Sequence, residues 1–314
     1  MQNTSKFGSE AGLAADTLLM TATDGLVQIG DLAEGLSEGQ GRKLSMRIRG
    51  DDAMETISGV VACGTRSAYR TILENGMTVV TTYNTCLIVA RNRHSHHHLR
   101  TTEQLGYEDT AVIPRGPFRM GHYEGRTWDS RMLDRGALPK EALAGSRRYL
   151  HKVVRESLLE PAGGMSDGIR ATLRTTDENS IILEWQAPNK WLGRQIQVML
   201  MPLANTMSEF DEHSCVLSIR DGDLARLDEE IGIIGAIYDE GECDIDRDIT
   251  EWLLGLDDRN TRAREVVRIA SIEGVNRRPM YALLLEDGPA AHMANGLLVG
   301  SIPDDRKLDI EWVA

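Results

Sequence analysis

The sequence predicts a mainly β protein interrupted by an α+β insert, and three observations carry that expectation. Short apolar runs rich in β-branched residues alternate with turn signals over residues 13–90, helical spacing takes over from Leu138, and the β pattern returns after Asp258. A β unit assembled from both ends of the chain and broken by an insert fits that order better than two domains in tandem. The expected boundaries are a tail over 1–10, a β domain of 11–116 plus 259–301, an insert over 117–258 and a tail over 302–314.

Taken in order, Thr17–Met20 and Leu26–Ile29 flank Thr23-Asp24-Gly25, and Asp-Gly between apolar runs is a strong hairpin signal. The same grammar recurs in Ala68–Leu73, the turn Glu74-Asn75-Gly76, and Met77–Thr81. Pro139–Leu159 has helical spacing, with Leu143, Leu150, Val153, Val154 and Leu158 on one face, and Pro161 with Gly163-Gly164 ends it. A strand over Ile169–Thr175, a helix over Arg194–Leu203, a strand over Cys215–Ile219 and a helix over Leu224–Ile231 complete the insert. Trp185 and Trp191 flank Pro188 and Asn189 in an expected loop, with core packing the first reading for them and a partner contact the second. Strands are then expected at Val266–Glu273, Met280–Leu285 and Leu297–Val299.

With 314 residues, 41% of them hydrophobic and 26% charged, the chain has ample material for a core. No stretch approaches the roughly 18 apolar residues a membrane span requires, so a soluble, intracellular protein is expected. Cys63, Cys86, Cys215 and Cys243 are scattered without CxxC spacing, which argues against a zinc site and for reduced thiols. A net charge of -13 repels phosphate backbones, so nucleic acid is an improbable partner. The acids concentrate in Asp221–Asp258, read as a solvated or partner-facing surface, whereas Arg126–Arg155 is mildly basic. His94, His96, His97 and His98 form a loop cluster; a metal there needs ligands fixed by the fold, and an exposed loop is the expectation. No metal or other cofactor is expected.

Two segments at the start, Leu13–Met20 and Asp24–Leu32, resemble the first splicing block of the large ribonucleotide-reductase-type inteins, in which a Hint (hedgehog/intein) β-fold carries a LAGLIDADG homing-endonuclease insert. Gly76–Asn84 is similar to the second block, and Met280–Leu285 with Ala294–Val299 to the last two. Leu138–Gly164 resembles the second LAGLIDADG helix and Ser218–Ile234 the stretch that closes the endonuclease. The resemblance spans most of residues 12–301 in the family's order, and implies a Hint-type β-fold interrupted by a single-repeat LAGLIDADG-like domain.

The chemistry that the resemblance would bring is missing from the matching positions. Gly12 stands where the family has its nucleophilic Cys, and a side chain of hydrogen cannot attack a peptide bond. Thr82 stands at the family's Thr, but Thr85 replaces the His that protonates the scissile amide. Ala282 replaces an acid, and Gly300-Ser301 replaces the terminal His-Asn pair, so no amide side chain can cyclise. His292 falls at an aromatic position and is expected packed or on the surface. In the endonuclease motif Ala162 replaces the metal-binding carboxylate, leaving Glu160 at the upstream acid.

The first LAGLIDADG repeat has no room before Leu138, so the helix over Lys140–Leu159 is expected to lack its partner. Its apolar face, through Lys140, Leu143, Leu150, Val153, Val154 and Leu158, is then an expected site of self-association or protein docking. The resulting expectation is a splicing-inactive, domesticated intein-like protein with a binding, assembly or structural role. It is not expected to be an enzyme. Because such inteins are common in phages and bacteria, the cytoplasm or a phage particle is the expected location. A residual self-splicing or autocleaving element and a nuclease-dead DNA-binding module using Arg126–Arg155 are the alternatives.

Overall fold

The computed structural model describes residues 11–51, 53–91, 97–116, 118, 138, 140–159, 171–176, 180–239, 264–286, 291–300 and 310–313. The chain divides into two units, one of Met1–Glu74, Thr78–Pro114 and Arg264–Ala314, the other of Asn75–Met77 and Arg115–Ala263. Among the described residues the first unit is β-rich and the second α+β, so the protein is mainly β with an α+β insert.

In chain order the first unit contributes β1 (Leu13–Ala14), β2 (Leu18–Met20), β3 (Leu26–Gln28), a one-turn helix α1 (Ile29–Leu32), β4 (Gln40–Arg49), β5 (Met54–Leu73), β6 (Thr78–Thr81), β7 (Cys86–Ala90), β8 (His98–Thr101) and β9 (Thr110–Pro114). The insert follows with α2 (Lys140–Leu143), α3 (Arg147–Leu159), β10 (Ala171–Thr175), β11 (Ile181–Gln186), α4 (Lys190–Ala204), β12 (Glu209–Asp211), β13 (Val216–Arg220), α5 (Asp221–Ile231) and α6 (Ile233–Asp239). The chain then returns to the first unit with β14 (Arg264–Leu285), β15 (Ala291–Ala294), β16 (Leu297–Gly300) and β17 (Glu311–Val313).

The strands of the first unit form a 13-stranded sheet in the order β17-β4-β5-β6-β1-β14-β9-β7-β16-β15-β2-β3, with β8 on β7 and a further pairing of β5 with β14. The Asp24-Gly25 turn closes β2 on β3: Gly25 takes φ +71°, and Thr21 caps the turn by accepting from Asp24 N at 2.9 Å and donating to Gly25 O at 2.9 Å. Gly76, at φ +79°, serves the β5–β6 turn in the same way.

One difference from the sequence reading lies in β14, expected as two strands and found as one of 22 residues. Gly274 and Pro279 look like breakers, but both keep ladder partners on β5, Tyr69 and Thr65, and the register shifts at Val275/Arg278 and Met280/Tyr281 bend the strand without ending it. The bends let β14 pair with β9 at its start, with β5 along its length, and with β1 at Met280 and Tyr281. Pro114 and Arg264 are paired residues in the β9–β14 ladder, so the insert leaves and rejoins this unit at one point of the sheet.

The insert is a four-stranded antiparallel sheet, β10-β11-β13-β12, with helices packed on it. β11 occupies a stretch with no expected element, because the continuous apolar run Ile181-Ile182-Leu183 lacks the alternation that marks a strand. Trp185 lies in that strand at 1% exposure and is core, whereas Trp191 at the start of α4 is exposed. The expected single helix over Pro139–Leu159 is broken at Gly145-Ser146. There Ser146 caps α3, its Oγ accepting from Tyr149 N at 3.3 Å and its carbonyl from Leu150 N at 3.0 Å.

The expectation of an uncovered apolar face on this helix is corrected. Leu143, Leu150, Val153, Val154 and Leu158 are all at 0–1% exposure, and α3 packs on α4, α5 and α6 of its own unit. What α3 turns outward is Arg148, Lys152 and Arg155, and Lys140 is exposed as well. Arg147 and His151 reach across to the end of α4, to Leu203 O at 3.1 and 3.2 Å, satisfying a carbonyl at a helix terminus.

The acidic stretch from Asp221 is corrected in part. Over its described residues, 221–239, Leu224 and Leu227 point inward and the carboxylates hold backbone. Asp221 accepts from Ile181 N at 2.9 Å, Asp223 from Met207 N at 2.8 Å and Asp228 from Ile234 N at 2.7 Å. Glu230 pairs with Arg147. No helix among the described residues is long and apolar enough to cross a membrane.

Candidate functional site

β1 lies between β6 and β14, with Leu13 opposite both Thr81 and Tyr281. Its preceding residue, Gly12, therefore emerges beside the end of β6, where the chain turns through Thr82-Tyr83-Asn84-Thr85 into β7 with Thr85 N donating to Thr82 O at 3.1 Å. Gly12 N donates to Thr82 Oγ1 and to Thr85 Oγ1, each at 3.0 Å. Thr82 N and Thr85 Oγ1 both donate to Gly12 O, again at 3.0 Å. The two hydroxyls lie 3.1 Å apart. Both amide groups of Gly12 are thus held by residues 70 and 73 positions away in sequence.

Two further threonines, not singled out in the sequence, fix this turn. Thr102, opening a 3-10 turn over Thr102–Gln104, donates to Thr85 O from its amide at 2.8 Å and its hydroxyl at 3.0 Å, and its hydroxyl meets Thr81 Oγ1 at 2.8 Å. All four threonines are buried. The clustering of Thr81, Thr82, Thr85, Thr101 and Thr102 around two strand ends was the available signal.

The remaining aligned positions converge on the same place. Continuing the β1–β14 register sets Ala282 opposite Gly12, and a Cβ built on Gly12 would lie 3.0 Å from Met280 Cβ. Ala282 belongs to an apolar cluster with Ala14, Cys63, Ala68, Val80 and Met280, so a carboxylate there would be desolvated. The β7–β16 register sets Gly300 opposite Cys86, directly after Thr85, and a Cβ on Gly300 would meet Cys86 Cβ at 3.3 Å and Leu99 Cδ2 at 3.0 Å. Gly12, Thr82, Thr85, Ala282 and Gly300 are therefore brought together; Ser301, Glu160 and Ala162 lie outside the described residues.

None of those five side chains titrates near neutral pH. Cleaving an amide needs an attacking group and a proton for the leaving nitrogen. At Gly12 the nitrogen is itself the donor, and both facing oxygens accept from it. Burial raises the pKa of the neighbouring Cys86 thiol, keeping it protonated, and Cys86 and Cys215 are free thiols. His292, in β15, is fully buried, neither ring nitrogen has a hydrogen-bond partner among the described residues, and burial lowers its pKa to about 4. It pairs with Val299 on β16 and bridges to Gly50.

No group of three or more His, Cys, Asp or Glu side chains that would hold a metal occurs among the described residues; His97 and His98 are described, whereas His94 and His96 are outside them. Residues 126–137 of the basic stretch are also outside.

No protein-family model matches the sequence, and no curated protein matches it. Among solved structures the chain is similar to a variant of the Ssp DnaB mini-intein, with TM-score 0.41, 10% identity and coverage of 95% of this chain and 98% of that one. It is also similar to a DnaB intein from Synechocystis sp. (TM-score 0.39, 10% identity, 93% and 99% covered) and to an intein from a hyperthermophile (TM-score 0.39, 8% identity, 93% and 100% covered).

Proposed function

We propose that this chain is an intein-like protein with a Hint-type β domain that no longer splices and acts as a binding or assembly component. The observation that carries the reading is the convergence of Gly12, Thr82, Thr85, Ala282 and Gly300. These positions fall at the splicing blocks of the family the sequence resembles and are spread over nearly the whole chain; Thr82, Thr85 and Ala282 meet at Gly12, and Gly300 lies opposite Cys86, next to Thr85. Every one of them carries a group unable to act as nucleophile, acid or base near neutral pH. In the same reading the insert is a single LAGLIDADG-like repeat, supported by its order of helix, two strands, helix, two strands and closing helices. Its open sheet face does not favour nucleic acid, because Arg174 and Arg220 are each bonded to a carboxylate, Glu184 and Glu209.

The test is expression of residues 1–314 between two foreign folded domains, followed by intact-mass spectrometry. A single unprocessed species is expected over days at neutral pH, with or without thiol. Ligated flanking domains, or cleavage at either junction, would overturn the reading.

A further inference from the structure

Among the described residues, β17 forms one margin of the 13-stranded sheet and is joined to it through β4. The pairing is parallel, Glu311 with Gln40, Trp312 with Gly41 and Val313 with Arg42, and Glu311 N donates to Gly39 O at 3.1 Å. A three-residue parallel ladder with no described strand on its far side is a weak attachment by its backbone alone.

The side chains explain why it docks there. Two glycines, Gly41 on β4 and Gly59 on β5, make a floor beneath Ile310 and Trp312. A Cβ on Gly41 would fall 2.6 Å from Ile310 Cγ2 and 3.3 Å from the Trp312 ring, and one on Gly59 would fall 2.9 Å from the ring. Lys43, the ladder partner of Gly59, sets its ammonium 5.8 Å from the centroid of that ring. Glycine inside a strand weakens it, and two under one indole mark a close approach that the sheet is shaped to receive. Trp312 is still 42% exposed, so it lies in an open trough and not in the core.

We propose that this margin of the sheet is a peptide-binding site for an extended segment of the pattern aliphatic-x-Trp. Gly39–Arg42 supply the backbone ladder, Gly41 and Gly59 the floor, and Lys43 the cation over the ring; residues 310–313 are the resident ligand. The mode is strand addition, with affinity from main-chain bonds and selectivity from alternate side chains. It involves none of the threonine-site residues and stands or falls separately from the splicing reading.

The test uses the full chain carrying Ile310→Ala and Trp312→Ala, which empties the trough, and a dye-labelled peptide Asp-Ile-Glu-Trp-Val-Ala followed by fluorescence anisotropy. Saturable binding to this double variant is expected, weakened at least about tenfold in the unsubstituted chain, where the tethered segment competes at high effective concentration. Adding Gly41→Val should abolish binding, because the three atoms nearest the added Cβ all belong to Ile310 and Trp312. A peptide with Ala for Trp is expected not to bind, a control independent of any variant's folding. In parallel, amide exchange over residues 40–42 should quicken in Trp312→Ala. Absence of saturable binding to the double variant, or equal binding of the Ala peptide, would overturn the proposal.

Discussion

Thr85 accepts from the Gly12 amide, donates to the Gly12 carbonyl and contacts the Thr82 hydroxyl, all while 1% exposed. Thr85→Val keeps the shape and removes every one of those bonds, leaving buried backbone groups under-satisfied. A loss of about 1–3 kcal/mol in urea unfolding is expected, and a neutral result would show that the turn is held elsewhere. Gly12→Ala tests packing at the same point: its Cβ would sit 3.0 Å from Met280 Cβ, and overpacking of this kind costs about 1–3 kcal/mol. His292 makes a pH-dependent contribution. Its folded pKa, about 4, lies below the 6.5 of an exposed histidine, so the unfolded chain binds the extra proton between those values. The stability at stake is whole above pH 6.5, falls as pH drops toward 4, and amounts to about 3 kcal/mol at most. Unfolding of the wild type and His292→Leu should therefore converge or cross as pH is lowered through that window; parallel curves would sink the assignment.

At the scale of elements, α3 and α4 hold the insert together. Leu150→Ala removes a fully buried side chain from the contact of α3 with its neighbours and should cost about 2–5 kcal/mol, read as a lowered denaturant midpoint of the insert. Asn189 caps α4, accepting from Trp191 N at 2.9 Å and Leu192 N at 3.0 Å, and Asn189→Ala should cost about 1 kcal/mol by the same measurement. The elements that were legible in the sequence had strong local chemistry: the Asp24-Gly25 and Asn75-Gly76 turns, and the inward face of α3. Those missed depended on distant partners. β11 is an unalternating apolar run that only its neighbours β10 and β13 make a strand, and β14 is continuous because β5 accommodates its bulges. The helix break at Gly145-Ser146 had a local signal, a Gly-Ser pair, that the run of apolar spacing masked.

Across the whole molecule, the convergence of the threonine site was legible through resemblance to a family and not through composition or periodicity, since glycine and alanine advertise nothing. The expectation of a lone helix is overturned, because α4, α5 and α6 of the same unit cover the apolar face of α3. The pairing of Pro114 with Arg264 has a consequence for how such a protein changes over time. Two ends that meet across a ladder form a seam: whatever loop spans them, long or short, leaves the strands on either side in register, and lengthening it adds only slowly to the entropy of closure. Splicing out residues 115–263 and sewing the seam with Asn-Gly should yield a hairpin, and a shortened protein that still melts cooperatively. The second unit also takes in Asn75–Met77, where Asn75 O accepts from Phe210 N at 2.9 Å and from Gln197 Nε2 at 2.7 Å, so shedding the module leaves that turn to be satisfied by water.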